Sequence, residues 1–199
     1  MSVAAGESIQ LVVALGNPGK EYARTRHNVA WQMMENLSFY NELNWQEKFK
    51  GEYATYTPMG ATERVFFLKP MTFMNLSGQS LVAMMQFFKI TPGRILVVHD
   101  DLEIDFGVIG FKWSGGLGGH NGLRSIAGLL GTPDFCRLRL GISRPAHRDI
   151  TSYVLGPFSE DERIVLPTFL EEAAKLLEQS LTTEWAEMEK AYKKKKLIQ

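Results

Sequence analysis

The sequence has a single cysteine, Cys136, among 199 residues. One thiol excludes an internal disulfide framework and a cysteine-based zinc site within one chain. Its place in the alternating run FCRLRLGI marks it as a small buried hydrophobe rather than a nucleophile. No stretch approaches the ~18 consecutive apolar residues of a membrane span, and no basic N-terminal segment precedes an apolar one. No membrane partner is expected, and a reducing, cytoplasmic setting is. An excess of charge is also missing, since 22 basic residues balance 22 acidic ones. Global charge therefore advertises no nucleic acid. An RNA partner would have to be held by a local basic patch. Repeats and low-complexity linkers are absent too.

What is present is a 45% hydrophobic chain, enough for one well-packed domain. Residues 9–15 (IQLVVAL) and 95–100 (ILVVHD) read as buried strands. Residues 52–57 and 63–69 read as strands joined by a turn at Pro58-Met59-Gly60, and 107–113 and 135–142 as two more. Helical spacing appears over 28–43 (Val29, Met33, Met34, Leu37, Tyr40). It recurs after Ser77, a candidate cap, with Pro92-Gly93 ending that helix, and again over 121–130 and 160–181. Alternating strands and helices specify an α/β sandwich with a mixed, largely parallel sheet. The lysine-rich end at 193–199 is expected to be a solvated, frayed tail.

Ligands of such sheets sit outside the carboxyl ends of the strands. Three polar clusters follow apolar runs: residues 17–28, 69–75 and 99–105. A glycine cluster at 115–119 supplies a fourth segment. The first, GNPGKEYARTRHN, is no phosphate loop: Gly16 and Gly19 are three apart and Lys20 precedes Glu21, not Ser or Thr. The glycine cluster fails the dinucleotide fingerprint, because its third glycine would fall on Asn121. The carboxylates after Asp100 fail the calcium-loop spacing, and no histidine pair has zinc spacing, so no metal is expected. Asp101, Glu103 and Asp105 read as a solvated turn. Asp100 differs, because it ends a buried strand and can face a cleft. His27, Asp100 and the asparagines Asn17, Asn75 and Asn121 meet the needs of ester hydrolysis. These are a base near neutral pKa, a carboxylate to orient it, and amides for the developing oxyanion. No G-x-S-x-G competes.

The stretches GNPGKEYARTRHN, KPMTFMNLSG, HDDLEIDFG and GGHNGLRS, in this order and spacing, resemble bacterial peptidyl-tRNA hydrolase. The resemblance covers residues 9–158 and implies a single-domain, three-layer α/β sandwich around a twisted mixed sheet, a monomer without cofactor. The implied reaction cleaves the ester between a peptide and the 3′-terminal ribose of tRNA. By the same resemblance His27 corresponds to the general base and Asp100 to the carboxylate holding it. Asn17 corresponds to the residue separating blocked from free aminoacyl-tRNA. Asn75 and Asn121 correspond to amides contacting the peptide and the 3′ end, beside Tyr22 and Phe73. Lys112 and Arg139 correspond to a grip on the 5′-phosphate, with Arg144, Arg148 and the lysine tail as other basic candidates. Departures from the family pattern are Ala30, Glu103, Arg124, and Gly110 where a second basic residue often lies. His27, following a loop, is expected to be partly exposed. Two other classes compete: a non-catalytic RNA-binding module, which needs no histidine, and a small-ester hydrolase indifferent to the tRNA body.

Overall fold

Leu11–Ala14 has no polar side chain and becomes β1, buried throughout, as a central strand covered on both faces requires. The computed structural model describes residues 8–61, 63–146 and 149–198. The other strands are β2 (Gln46–Lys48), β3 (Gly51–Tyr56), β4 (Val65–Pro70), β5 (Ile95–Asp101), β6 (Val108–Trp113), β7 (Cys136–Gly141) and β8 (Lys195–Lys196). They form one sheet in the order β2-β3-β4-β1-β5-β7-β6-β8. Its centre, β4-β1-β5-β7, is parallel, and both flanks are antiparallel.

Helices cover both faces. On one side, α1 (Val29–Met34), α5 (Glu160–Ser180) and α6 (Trp185–Ala191) pack on Val12, Ala14, Val98 and Leu138. On the other, α2 (Ser77–Phe88) and α3 (Asn121–Leu130) pack on Leu11, Val13, Leu15 and Val97. The alternation of Cβ directions along a strand divides these residues between the two cores. A short helix, α4 (Ile150–Val154), joins the first core through Val154. The three-layer mixed sandwich expected from the sequence is the observed fold.

Three local expectations are corrected. The helix expected over 28–43 stops at Met34, with a 3-10 turn at Tyr40–Glu42. Leu37 and Phe39 are both buried, a spacing of two that one helix face cannot supply. Phe39 stacks on Tyr56 with ring centroids 3.7 Å apart, and Glu178 receives the Ser38 backbone N–H and hydroxyl. Ser77 does not cap α2; its hydroxyl bonds the Met74 carbonyl, and α2 ends at Lys89 in the left-handed region, before Pro92. The lysine-rich end is not free: Lys195 and Lys196 pair with Ile109 and Val108. The short elements β2, α4 and α6 had no sequence expectation.

Candidate active site

The parallel strands β4, β1 and β5 end on the same side, and the segments leaving them meet at a cleft of about 660 Å³. All nine candidate residues, Asn17, Tyr22, His27, Phe73, Asn75, Asp100, Lys112, Asn121 and Arg139, line it. His27 lies in a 3-10 turn, Arg26–Asn28, leading into α1. Asn75 lies in a second such turn, Met74–Leu76, leading into α2. Asn121 opens α3, and Lys112 and Arg139 stand on β6 and β7.

Asp100 is the centre of the polar constellation. Its Oδ1 lies 2.8 Å from His27 Nδ1 and 2.9 Å from His120 Nε2. Burial works to raise the carboxyl's pKa. The charges and hydrogen bonds of the two histidines outweigh it and hold Asp100 far below the usual carboxylate range. An ionised carboxylate only accepts, so both ring nitrogens facing it carry hydrogen. That leaves Nε2 of His27, which has no partner among the described residues, open to the cleft. Burial lowers the pKa of His27, but the Asp100 charge and hydrogen bond prevail, raising it above its ordinary 6.5. His27 is 8% exposed, so it is buried rather than partly exposed as its loop position suggested. The turn that carries it packs under α1 and the α4–α5 segment.

His120 belongs to this constellation and was not selected from the sequence. Its Nδ1 accepts from the backbone N–H of Gly122 at 3.1 Å and Leu123 at 3.4 Å, capping α3. This fixes its proton on Nε2, which donates to Asp100. The signal was present in GGHN, a histidine directly before a helix start. Gly118 and Gly119, both at positive φ, make the turn that delivers it. His99 is buried behind the pair, its Nδ1 donating to the Asp100 carbonyl at 2.7 Å. Burial first, then His120, pushes its pKa well down. His27, Asp100 and His120 also place three metal-ligating atoms within 4.8 Å of one another. Here Oδ1 is shared between two ring N–H groups, so the three are joined by hydrogen bonds.

Asn17 is locked by the fold. Its backbone N–H and carbonyl pair with the side chain of Asn28, each at 2.9 Å. Its Oδ1 accepts from the Met74 N–H at 2.7 Å, leaving Nδ2 for the cleft. Asn75 and Asn121 are exposed, and their amides make no protein hydrogen bond among the described residues. Phe73 is 58% exposed at the cleft rim.

Arg26, next to His27, braces the site. Its guanidinium donates to the Pro157 carbonyl, pairs with Glu162 at 2.6 Å, and lies 4.1 Å from the Tyr153 ring centroid. It thus ties the His27 turn to α4, which lends Ile150, Thr151 and Val154 to the cleft wall.

The far end of the cleft is basic. Lys112 stands opposite Arg137, and Gly110 opposite Arg139, so the three cations share one face. Arg137, 1% exposed, donates to the carbonyls of Gly115 and Gly116 and shapes the glycine loop. Arg139 lies 3.5 Å from Asp101. Burial, then Arg137 and Arg139, lowers the pKa of Lys112. Arg144 pairs with Glu103, so the expected solvated turn is partly salt-bridged. Arg148 lies outside the described residues.

A sequence profile described as peptidyl-tRNA hydrolase matches residues 11–199. A protein named peptidyl-tRNA hydrolase from Treponema pallidum is 44% identical over 196 residues, covering 96% of this chain and 97% of its own. One of the same name from Geotalea uraniireducens is 41% identical, covering 96% and 100%. The crystal structure of peptidyl-tRNA hydrolase from Acinetobacter baumannii superposes with a TM-score of 0.80 at 36% identity, covering 94% of this chain and 97% of that one. A complex of a peptidyl-tRNA hydrolase with N-propanol gives 0.84 at 36% identity, covering 93% and 94%.

Proposed function

The chain belongs to the peptidyl-tRNA hydrolase family, and from that membership we propose that His27 and Asp100 perform its reaction as general base and orienting carboxylate. The enzyme cleaves the ester between a peptide's terminal carbonyl and the 3′-ribose oxygen of tRNA. In the proposed mechanism a water sits between His27 Nε2 and the ester carbonyl. Nε2 takes its proton as the oxygen attacks, and Asp100 stabilises the imidazolium. Amides from Asn17, Asn75 and Asn121 donate to the oxyanion and to the peptide. The C–O bond then breaks, the ribose oxygen takes the proton from His27, and peptide acid and tRNA leave. The observation that carries this reading is the 2.8 Å contact between His27 Nδ1 and a buried, ionised Asp100, with Nε2 open to the cleft.

Neutral amides suit the peptide side. They pair with N–H and C=O, whereas a free α-ammonium would lose hydration there without an anionic partner. Tyr22 and Phe73 offer rings beside the 3′ end. Lys112 and Arg139 clamp the 5′-phosphate. The enzyme works as a monomer in the cytoplasm, where its tRNA substrate is made; sedimentation of the purified chain checks the first point. No helix of the described residues is long and apolar enough to cross a membrane.

The test is hydrolysis of N-acetylaminoacyl-tRNA by the wild type and by His27→Ala. Release of the acetylated amino acid by the first and not the second is expected. Binding without cleavage would instead identify an RNA-binding module. Equal cleavage of simple esters would identify a small-ester hydrolase.

A further inference from the structure

Gly110 is the gap in the basic face, opposite Arg139 and two residues before Lys112. A Cβ there would lie 2.6 Å from the Lys193 carbonyl oxygen and 2.8 Å from Arg139 Nη2. The space is filled by the C-terminal strand. Phe111 N–H donates to the Tyr192 carbonyl and Leu197 N–H to the Gly107 carbonyl, both at 2.8 Å. Arg139 Nη2 donates to the Lys193 carbonyl at 3.3 Å. Backbone bonds on either side thus hold the run Lys193-Lys194-Lys195-Lys196 against β6, and all four residues are exposed.

Residues directly opposite in an antiparallel ladder project to the same face. Lys196 pairs with Val108 and so shares the face of Gly110 and Lys112. Lys195 pairs with Ile109 and turns the other way, its Nζ 4.7 Å from the Tyr192 ring. Of the nearby acids, Asp101 lies against Arg139 and Glu189 accepts from the Trp113 N–H. No acidic side chain among the described residues pairs with a tail lysine.

We infer that the docked lysine strand is a second phosphate-binding strip, continuous with Lys112 and Arg139, that takes the tRNA backbone beyond its 5′-phosphate across the gap left by Gly110. The inference rests on peptidyl-tRNA being the substrate. Gly110 is the residue that makes room for the strand, and the strand brings the charge that Gly110 lacks. A net-neutral protein gathers cations in this way without a basic domain.

The experiment uses the full chain with Lys193, Lys194, Lys195 and Lys196 each changed to Gln, which keeps the ladder and removes the charge. KM and kcat are measured from 50 to 200 mM salt on N-acetylaminoacyl-tRNA and on the N-acetylaminoacyl ester of the 3′-terminal trinucleotide. If about three phosphates lose their lysine partners, the slope of log KM against log salt should fall by roughly 2, and KM at low salt should rise about 10-fold or more. The trinucleotide ester should be cleaved as before. An unchanged tRNA slope overturns the inference, as do equal losses on both substrates. In both cases the wild type still cleaves peptidyl-tRNA. Failure of the enzymatic reading would show separately, as a wild type inactive on both substrates.

Discussion

Changing Asp100 to Asn isolates charge from shape. The site is 3% exposed and sized for a carboxylate, so the amide fits with little repacking. With its oxygen toward the rings, it still accepts from His27 and His120, and both tautomers survive. The negative charge is what disappears. At ~4 Å between charge centres and an effective dielectric near 20, the pair is worth at most about 4 kcal/mol. A proton about half transferred in the transition state feels about half of that, ~2 kcal/mol, or roughly 30-fold in kcat. The pH profile gives a second, signed readout. The base works only when neutral, so wild-type activity climbs as pH rises through a value above 6.5, where Asp100 holds the His27 titration. In the variant the Asp100 charge is gone, burial, the largest influence, outweighs the neutral hydrogen bond that remains, and the acid limb should move below 6.5. The variant should therefore come closer to wild type at pH 5.5 than at pH 8. The assay is kcat and kcat/KM for N-acetylaminoacyl-tRNA between pH 5 and 9. A loss under about 3-fold, or an acid limb that stays put, would show that Asp100 does not supply the charge.

His27→Ala should lower turnover by about 10²-fold or more; since His27 is buried and hydrogen-bonded, thermal unfolding should also reveal a loss of about 1–3 kcal/mol. Asn17→Asp keeps the acceptor for the Met74 N–H but turns an oxygen toward the cleft, so the ratio of cleavage rates for N-acetylated and free aminoacyl-tRNA should fall; an unaltered ratio places selectivity elsewhere. Replacing Lys112 and Arg139 together with Ala should raise KM for tRNA and flatten its salt dependence while sparing a trinucleotide ester, and equal losses on both substrates would mean structural damage. Gly78→Ala sets a Cβ against the Ser125 carbonyl where α2 meets α3 and should cost about 1–3 kcal/mol in chemical denaturation; a neutral result would mean that the two helices can part.

The central strands were legible because β1 is an unbroken apolar run and β5 begins with one, Ile95-Leu96-Val97-Val98. The convergence of Asn17, Asn75 and Asp100 was legible because each follows an apolar run, and parallel strands carry their following segments to one edge. The roles were read through four motifs rather than through spacing alone. What was not legible depends on partners distant in the chain. Nothing local to residues 35–43 shows that Glu178 would take Ser38 and that Phe39 would stack on Tyr56, so a helical period ran on past Met34. His120 was passed over because its meaning lies in Asp100, twenty residues away. The lysine end looked solvated because a charge run carries no sign of the β6 edge waiting for its backbone.

Arg26 sets an order in time. Its partners Tyr153, Pro157 and Glu162 lie more than 120 residues further along, while His27, Asp100 and His120 are all in place by residue 120. A ribosome that adds roughly 5–20 residues per second makes the reactive groups several seconds before the brace that fixes the first of them. During that interval the growing chain is itself a peptidyl-tRNA, the kind of molecule the finished enzyme destroys. The nascent chain thus holds His27, Asp100 and His120 without the wall of α4 behind them, and that wall arrives only with the last quarter of the chain.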